Sequence, residues 1–412
     1  MATILAVVAA APGSPATAAP PAGEHRGTLT GGATWLGHIP ARWNGTVLLF
    51  AHGFGPLRPQ DAPSEQAREL LLAEGYAMVG SSYSGPTMWA LETALPDQRA
   101  ALRAFEEVLG TPPRRTIAIG RSMGGLVSAR QAHDPRGGID GVLTTCGIVA
   151  GGLNLNNYQL DGLHALTELL APGRDIPLVR YRDAAQAAQA AADIVALTTE
   201  AHATPDGRAR IALAAALFNL SGDHFRAMTA GGALNRYVTG RQQIELSAGG
   251  NSAYNRGVDY RALLASSAHA AGVRALYREA GLDLRADLDR LTATADVTAD
   301  PWAVADLRRS SMVAGPLRVP HLTMHTLVDE LVPVEHVDWY GEHARHRPGM
   351  LRSVYVNATG HCVFQPAEDV AALHMLEHRL DHGRWPDLTG TGRFVRFNPP
   401  RLVGGLGEPG RL

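Results

Sequence analysis

The sequence predicts an α/β protein in which a mostly parallel sheet, flanked by helices, is interrupted by a large helical insertion. Three observations carry this. Short apolar runs alternate with helical periodicity from about residue 27. One of those runs leads straight into Gly120-Arg-Ser122-Met-Gly124. The alternation then stops near residue 151 and resumes near 316, a gap too long for an ordinary loop.

The elements follow in order. Residues 1–25 hold an apolar stretch and then Ala16-Thr17-Ala18, a small-x-small pattern that predicts a signal-like or disordered segment and a secreted protein, although no basic leader is present. Ala33 to Ile39 reads as an early strand. Thr46 to Ala51 reads as a buried strand that delivers His52-Gly53-Phe54-Gly55 at its C-terminal end. Ser64 suits the cap of the next helix and Gly75 its stop. Tyr76 to Ser82 is another buried strand, and Leu102, Phe105 and Leu109 mark one face of the helix after it. Thr116 to Ile119 is the strand before Ser122, a helix of small residues follows, and Gly141 to Cys146 is a further strand.

Residues 151–315 carry Ala-rich helical segments such as Asp183 to Leu197, broken at Gly249-Gly250-Asn251 and Asn255-Arg256-Gly257. Strands resume at Val319 to His325 and Leu351 to Val356, and a last helix sets Val370, Leu373, Leu376 and Leu380 on one face. The Gly-, Pro- and Arg-rich stretch 383–412 reads as an extended tail. The predicted organisation is thus a core over 26–150 and 316–382, with a helical insertion over 151–315.

Composition narrows the chemistry. The 412 residues are 45% hydrophobic and 18% charged with a net charge of -2, enough to bury a large core and without a field directed at polyanions. Nucleic acid is not an expected partner, and no stretch beyond the first residues is apolar enough to span a membrane. The chain contains no lysine, so all 37 Lys+Arg residues are arginine. Schiff-base, pyridoxal-phosphate, phosphate-loop and Ser-Lys chemistries are therefore excluded.

What remains points to acyl transfer. A hydroxyl attacks only when a base removes its proton and donors meet the oxygen that becomes charged. Glycines around Ser122 permit the sharp strand-to-helix turn that exposes a nucleophile at the mouth of a sheet. Phe54, after His52-Gly53, and Met123, after the serine, are the expected backbone donors of the oxyanion hole. The acid and the base should then follow in loops past late strands. Asp329 in Thr326-Leu-Val-Asp329-Glu-Leu-Val-Pro333 and His361 in Asn357-Ala-Thr-Gly-His361 occupy those positions, with Glu330 as the rival acid. His374, His378 and His382 recur every four residues on the last helix, but Met375 stands where a metalloprotease would need Glu, and a solvated face is the expected reading.

With these residues in hand, the chain resembles the α/β-hydrolase superfamily over about 26–150 and 316–382. The resemblance implies an eight-stranded, mostly parallel sheet, with the helical insertion after the sixth strand acting as a cap. The expected activity is that of a serine hydrolase cleaving a small-molecule or polymer-linked carboxylic ester through an acyl-enzyme on Ser122, with no metal or cofactor. The same triad would serve an amidase or peptidase, a thioesterase or an acyltransferase, and a non-catalytic binding protein of this fold is a further alternative. Tyr158, Phe218, Tyr254 and Trp302 in the insertion either line a pocket or pack helices, packing being expected for most. Substrate and oligomeric state are left open.

The chain has two cysteines, Cys146 and Cys362. Both are expected at the C-terminal rim of the sheet, where a disulfide or two buried thiols would fit. The His361-Cys362 pair is similar to the tannase and feruloyl esterase family, in which a cysteine after the base is bridged to one just before the nucleophile. Here Arg121 holds that second position, so Cys146 would have to substitute.

Overall fold

A computed structural model describes residues 20–412, apart from 231, 345–346, 388–391 and 408–412. Most of the signal-like stretch lies outside the described residues. The described chain begins with β1 (Gly23–Thr28), β2 (Thr34–Ile39), β3 (Thr46–Ala51), α1 (Glu65–Ala73), β4 (Ala77–Ser81), α2 (Leu91–Leu109), β5 (Arg115–Arg121), α3 (Met123–His133) and β6 (Gly141–Thr145). Local chemistry sets several of these limits. Ser64 caps α1 by accepting from the Ala67 N–H at 3.1 Å, and Gly75, at φ +89, takes the left-handed turn that returns the chain to β4.

The insertion consists of α4 (Gly152–Leu170), α5 (Ala184–Ala201), α6 (Pro205–Leu217), α7 (Gly222–Ala230), α8 (Ala233–Ala248), α9 (Tyr260–Ser266), α10 (Ala270–Ala280), α11 (Leu284–Thr294) and α12 (Pro301–Ser311). Asp183, Thr204, Asp259 and Asp283 cap α5, α6, α9 and α11 with their side chains. The core then resumes with β7 (His321–Val328), α13 (Glu335–His343), β8 (Leu351–Thr359), α14 (Pro366–His382) and β9 (Phe394–Val395).

The strands form one sheet in the order β1-β2-β4-β3-β5-β6-β7-β8-β9. The run from β4 to β8 is parallel, whereas β1, β2 and β9 pair antiparallel at the two edges. Helices cover both faces, so β3 is at most 2% exposed along Val47 to Ala51, as a central strand of such a sheet must be. Each such buried Val, Leu or Phe contributes about 1.5–3 kcal/mol of transfer free energy.

Three expectations need correction. Among the described residues the sheet has nine strands rather than eight, because Phe394 and Val395 pair with Val356 and Tyr355. The first strand begins at Gly23, inside the segment expected to be signal-like, and its alternating exposure with no apolar face explains why its sequence does not read as a strand. Within the stretch expected to be an extended tail, the described residues 402–406 pack against the insertion. Leu402 and Val403 are 2% and 1% exposed, and Val403 exchanges two hydrogen bonds with the side chain of Asn219 at 2.7 and 3.1 Å. The Leu406 N–H also donates to Asn154 at 2.7 Å, so this strap is sewn to α4 and to the end of α6.

Candidate active site

Ser122 stands on the turn between β5 and α3 at φ 56, a backbone conformation that non-glycine residues seldom adopt and that the fold must hold in place. Three contacts hold it there: its N–H donates to the Thr145 carbonyl at 3.0 Å, and its own carbonyl accepts from Gly125 at 2.9 Å and from Ile148 at 3.3 Å. The turn also needs Gly124, since a Cβ there would lie 1.9 Å from the Ala51 carbonyl oxygen. That approach brings the end of β3 to Ser122, and a Cβ on Gly53 would stand 3.2 Å from Cβ of Ser122. Phe54 follows Gly53 in this loop, and Met123 is the first residue of α3, so the two expected oxyanion donors belong to the segments that flank the serine.

The structure brings Asp329 and His361 to the same place. The Ser122 hydroxyl donates to Nε2 of His361 at 2.8 Å, and Nδ1 of His361 donates to the Asp329 carboxylate at 2.9 and 2.8 Å. Asp329 is 1% exposed. Burial alone would raise its pKa, but the neighbouring imidazole and the backbone N–H of Val332 hold it below the usual carboxylate value. Its Oδ1 also accepts from the N–H groups of Leu331 and Val332, both at 2.9 Å. Glu330 plays a different part: its backbone carbonyl accepts from the Tyr237 hydroxyl.

Cys146 and Cys362 form a disulfide across 216 residues. The ligand atoms of Cys146, His361 and Cys362 lie within 4.8 Å of one another, but both sulfurs are committed to the bridge, which leaves a single imidazole and no metal-ligand set. In the histidine row on α14, His374 meets Glu74 at 2.7 Å, His378 meets the Arg384 carbonyl at 3.0 Å, and the His378 and His382 rings lie with centroids 4.5 Å apart.

Several contacts around Ser122, His361 and Asp329 were not legible in the sequence. Arg121, next to the nucleophile, forms a two-pronged ion pair with Asp369 on the first turns of α14 at 2.9 and 2.8 Å, and its guanidinium lies 5.7 Å from the Phe364 ring centroid. It ties the end of β5 to the segment after His361. Tyr158 on α4 and Tyr237 on α8 donate their hydroxyls to the Leu331 and Glu330 carbonyls, so the insertion grips the acid loop directly. Of the other insertion aromatics, Phe218 is fully buried between Phe225 and Tyr237, whereas Trp302 is 62% exposed. Behind Asp329 lie His325, His336 and Glu335, all buried.

A serine after β5, an aspartate after β7 and a histidine after β8, hydrogen-bonded in series on a sheet of this order, is the arrangement that the resemblance to the α/β-hydrolase superfamily implies. No family model matches the chain. It is similar to an o-phthalyl amidase of Xanthobacter agilis, 27% identical over 91% of this chain and 93% of that protein. Among solved structures, feruloyl esterase B from Aspergillus oryzae aligns at 13% identity and a TM-score of 0.42, over 88% of this chain and 80% of the other. Candida antarctica lipase A aligns at 13% identity and a TM-score of 0.40, over 92% and 83%. Superpositions this loose say nothing about substrate.

Proposed function

We propose that the protein is a serine hydrolase that cleaves a carboxylic ester by way of an acyl-enzyme on Ser122. The observation that carries this reading is the unbroken chain of hydrogen bonds from Ser122 through His361 to Asp329. In it, His361 takes the Ser122 proton as the oxygen attacks the acyl carbon and returns it to the leaving group. Asp329 holds the ring with Nε2 toward the serine and stabilises the imidazolium. The N–H groups of Phe54 and Met123 receive the charge on the acyl oxygen. Water activated by His361 then releases the acid and restores Ser122.

A second reading, hydrolysis of an amide, is favoured by the likeness to an o-phthalyl amidase along 91% of the chain. The machinery is the same, since His361 would protonate a departing amine as readily as an alkoxide. The helical insertion serves as a cap, a role supported by the grip of Tyr158 and Tyr237 on the acid loop. Export to an oxidising compartment is part of this reading and is supported by the disulfide.

The deciding experiment pairs an o-phthalyl ester with the matching o-phthalyl amide, both with chromogenic leaving groups, on wild type and Ser122→Ala. Turnover of the ester alone supports an esterase, and comparable kcat/KM on both supports the amidase reading. Undiminished turnover by Ser122→Ala would overturn both.

A further inference from the structure

We propose that the helical insertion carries a second binding site, separate from the triad, for an organic carboxylate with an apolar body. The site is a cavity of about 450 Å³ between α5, α6, α7 and α10, a size that suits a small molecule. One side is apolar, built from Ile211 and Ala212 of α6 and from Val273 and Leu276 of α10.

The other side carries two cations, Arg208 and Arg226, beside the rings of His202 and His269, which burial keeps toward the neutral form, with Asp223 as the single carboxylate. That carboxylate does little to neutralise the cluster, because it is 94% exposed and approaches Arg226 only to 3.6 Å. Arg208 donates to a neutral acceptor, the His202 carbonyl at 3.1 Å. Burial lowers the pKa of the His202 ring, and the charges of Arg226 and Arg208 lower it further, so both guanidiniums act on one imidazole. Nε2 of that ring is buried without a hydrogen-bond partner, a deficit that an anion accepting from it would remove. A carboxylate set between the two arginines would take charge-assisted hydrogen bonds from them and one from the His202 ring, while its body covers Val273 and Leu276. The start of α7, at Gly222, and the preceding Ser221 also border the cavity, on the side where a helix N-terminus favours an anion.

The cavity is distinct from the catalytic centre. None of Ser122, Asp329 and His361 lines it. A stack of rings leads from α7 toward the acid loop, with centroids 5.4 Å apart for Phe225 on Phe218 and 5.0 Å for Phe218 on Tyr237.

The test is a titration of the whole protein with benzoate, followed by saturation-transfer NMR, using benzamide as the uncharged isostere. Before titration, Ser122 is capped with a fluorophosphonate so that the active site is closed. The expected result is saturable benzoate binding with a Kd of about 1 mM, as suits a small ligand in a half-open site. Benzamide should bind about tenfold more weakly for want of the charged contacts. The double variant Arg208→Gln, Arg226→Gln should lose about tenfold in benzoate affinity. Both side chains are exposed, so its melting temperature and its rate of labelling by the fluorophosphonate should stay at wild-type values. Absence of saturable binding, equal binding of benzamide, loss of binding on capping Ser122, or full affinity in the double variant would each overturn the proposal.

Discussion

The Sγ of Cys362 lies 3.3 Å from Nε2 of His361, the same nitrogen that meets the Ser122 hydroxyl. The disulfide to Cys146 therefore anchors the residue next to His361, and it does so from the end of β6, one strand over from the one that leads to Ser122. Reduction frees that anchor while the Arg121–Asp369 pair remains. The expected outcome is a fall in kcat of about 10- to 100-fold, as misplacement of a reacting group by about 1 Å produces, with little change in KM. Stability should fall by about 2–5 kcal/mol. Turnover and thermal melting, measured with and without reductant and with thiol content checked by mass, decide this. Full activity in the reduced protein would show that the bridge is not needed to position His361.

The bidentate contact between Asp329 and His361 makes a second prediction. Asp329→Asn keeps the shape but presents an amide that cannot stabilise the imidazolium, so kcat should fall by about 10³- to 10⁴-fold. Glu330→Gln should cost far less, since the backbone carbonyl of Glu330 engages Tyr237. The stability effect has a definite sign. The folded pKa of Asp329 is lowered, so its contribution is present above the ordinary carboxylate value and is lost as pH falls through the folded value. Denaturant melts of both variants from neutral to acid pH test this: Asp329→Asn should show a flatter acid limb than wild type.

Glu335 behaves in the opposite sense. It is buried in the first turn of α13, and burial pushes its pKa up to about 8. The folded state thus holds a proton that the unfolded state releases near pH 4.5. Between those values stability should decline as pH rises, by at most about 1.4 kcal/mol per pH unit. Glu335→Gln should remove that decline and be the more stable protein at pH 8. Melting temperatures of the two proteins from pH 5 to 9 give the answer; parallel curves would show that Glu335 ionises freely in the fold.

How far the sequence was legible follows from which interactions are local. Ser122, Asp329 and His361 could be read because each sits in a short segment whose chemistry is self-contained: a glycine turn, or a loop ending a strand. Thr46 to Ala51 could be read because a strand buried on both faces is apolar at every position. The edge strand at Gly23–Thr28 was invisible, since its side chains alternate between exposed and half-buried with no apolar face. Arg121 and Asp369 are 248 residues apart, and nothing near either one announces the other. The grip of Tyr158 and Tyr237 on the acid loop likewise depends on how α4 and α8 pack, which periodicity does not encode.

The C-terminal strap makes the last prediction, because its composition suggests a free tail and its contacts do not. Leu402 and Val403 belong to the same apolar cluster as Tyr158, Phe218 and Tyr237. The strap runs closely over α4: a Cβ on Gly404 would stand 3.0 Å from both Cβ of Tyr158 and the Asp161 carboxylate. Leu402→Ala should therefore behave as a core truncation and cost about 2–5 kcal/mol. Asn219→Ala would leave the N–H and carbonyl of Val403 without partners and should cost about 1–3 kcal/mol. Tyr158, against which the strap packs, also bonds the Leu331 carbonyl in the acid loop. Deleting residues 398–412 should accordingly lower kcat as well as stability, even though no residue of the strap belongs to the triad. Guanidinium melts and ester turnover of the three variants test this. Wild-type stability in both Leu402→Ala and the deletion would show that the strap only rests on the surface of the insertion.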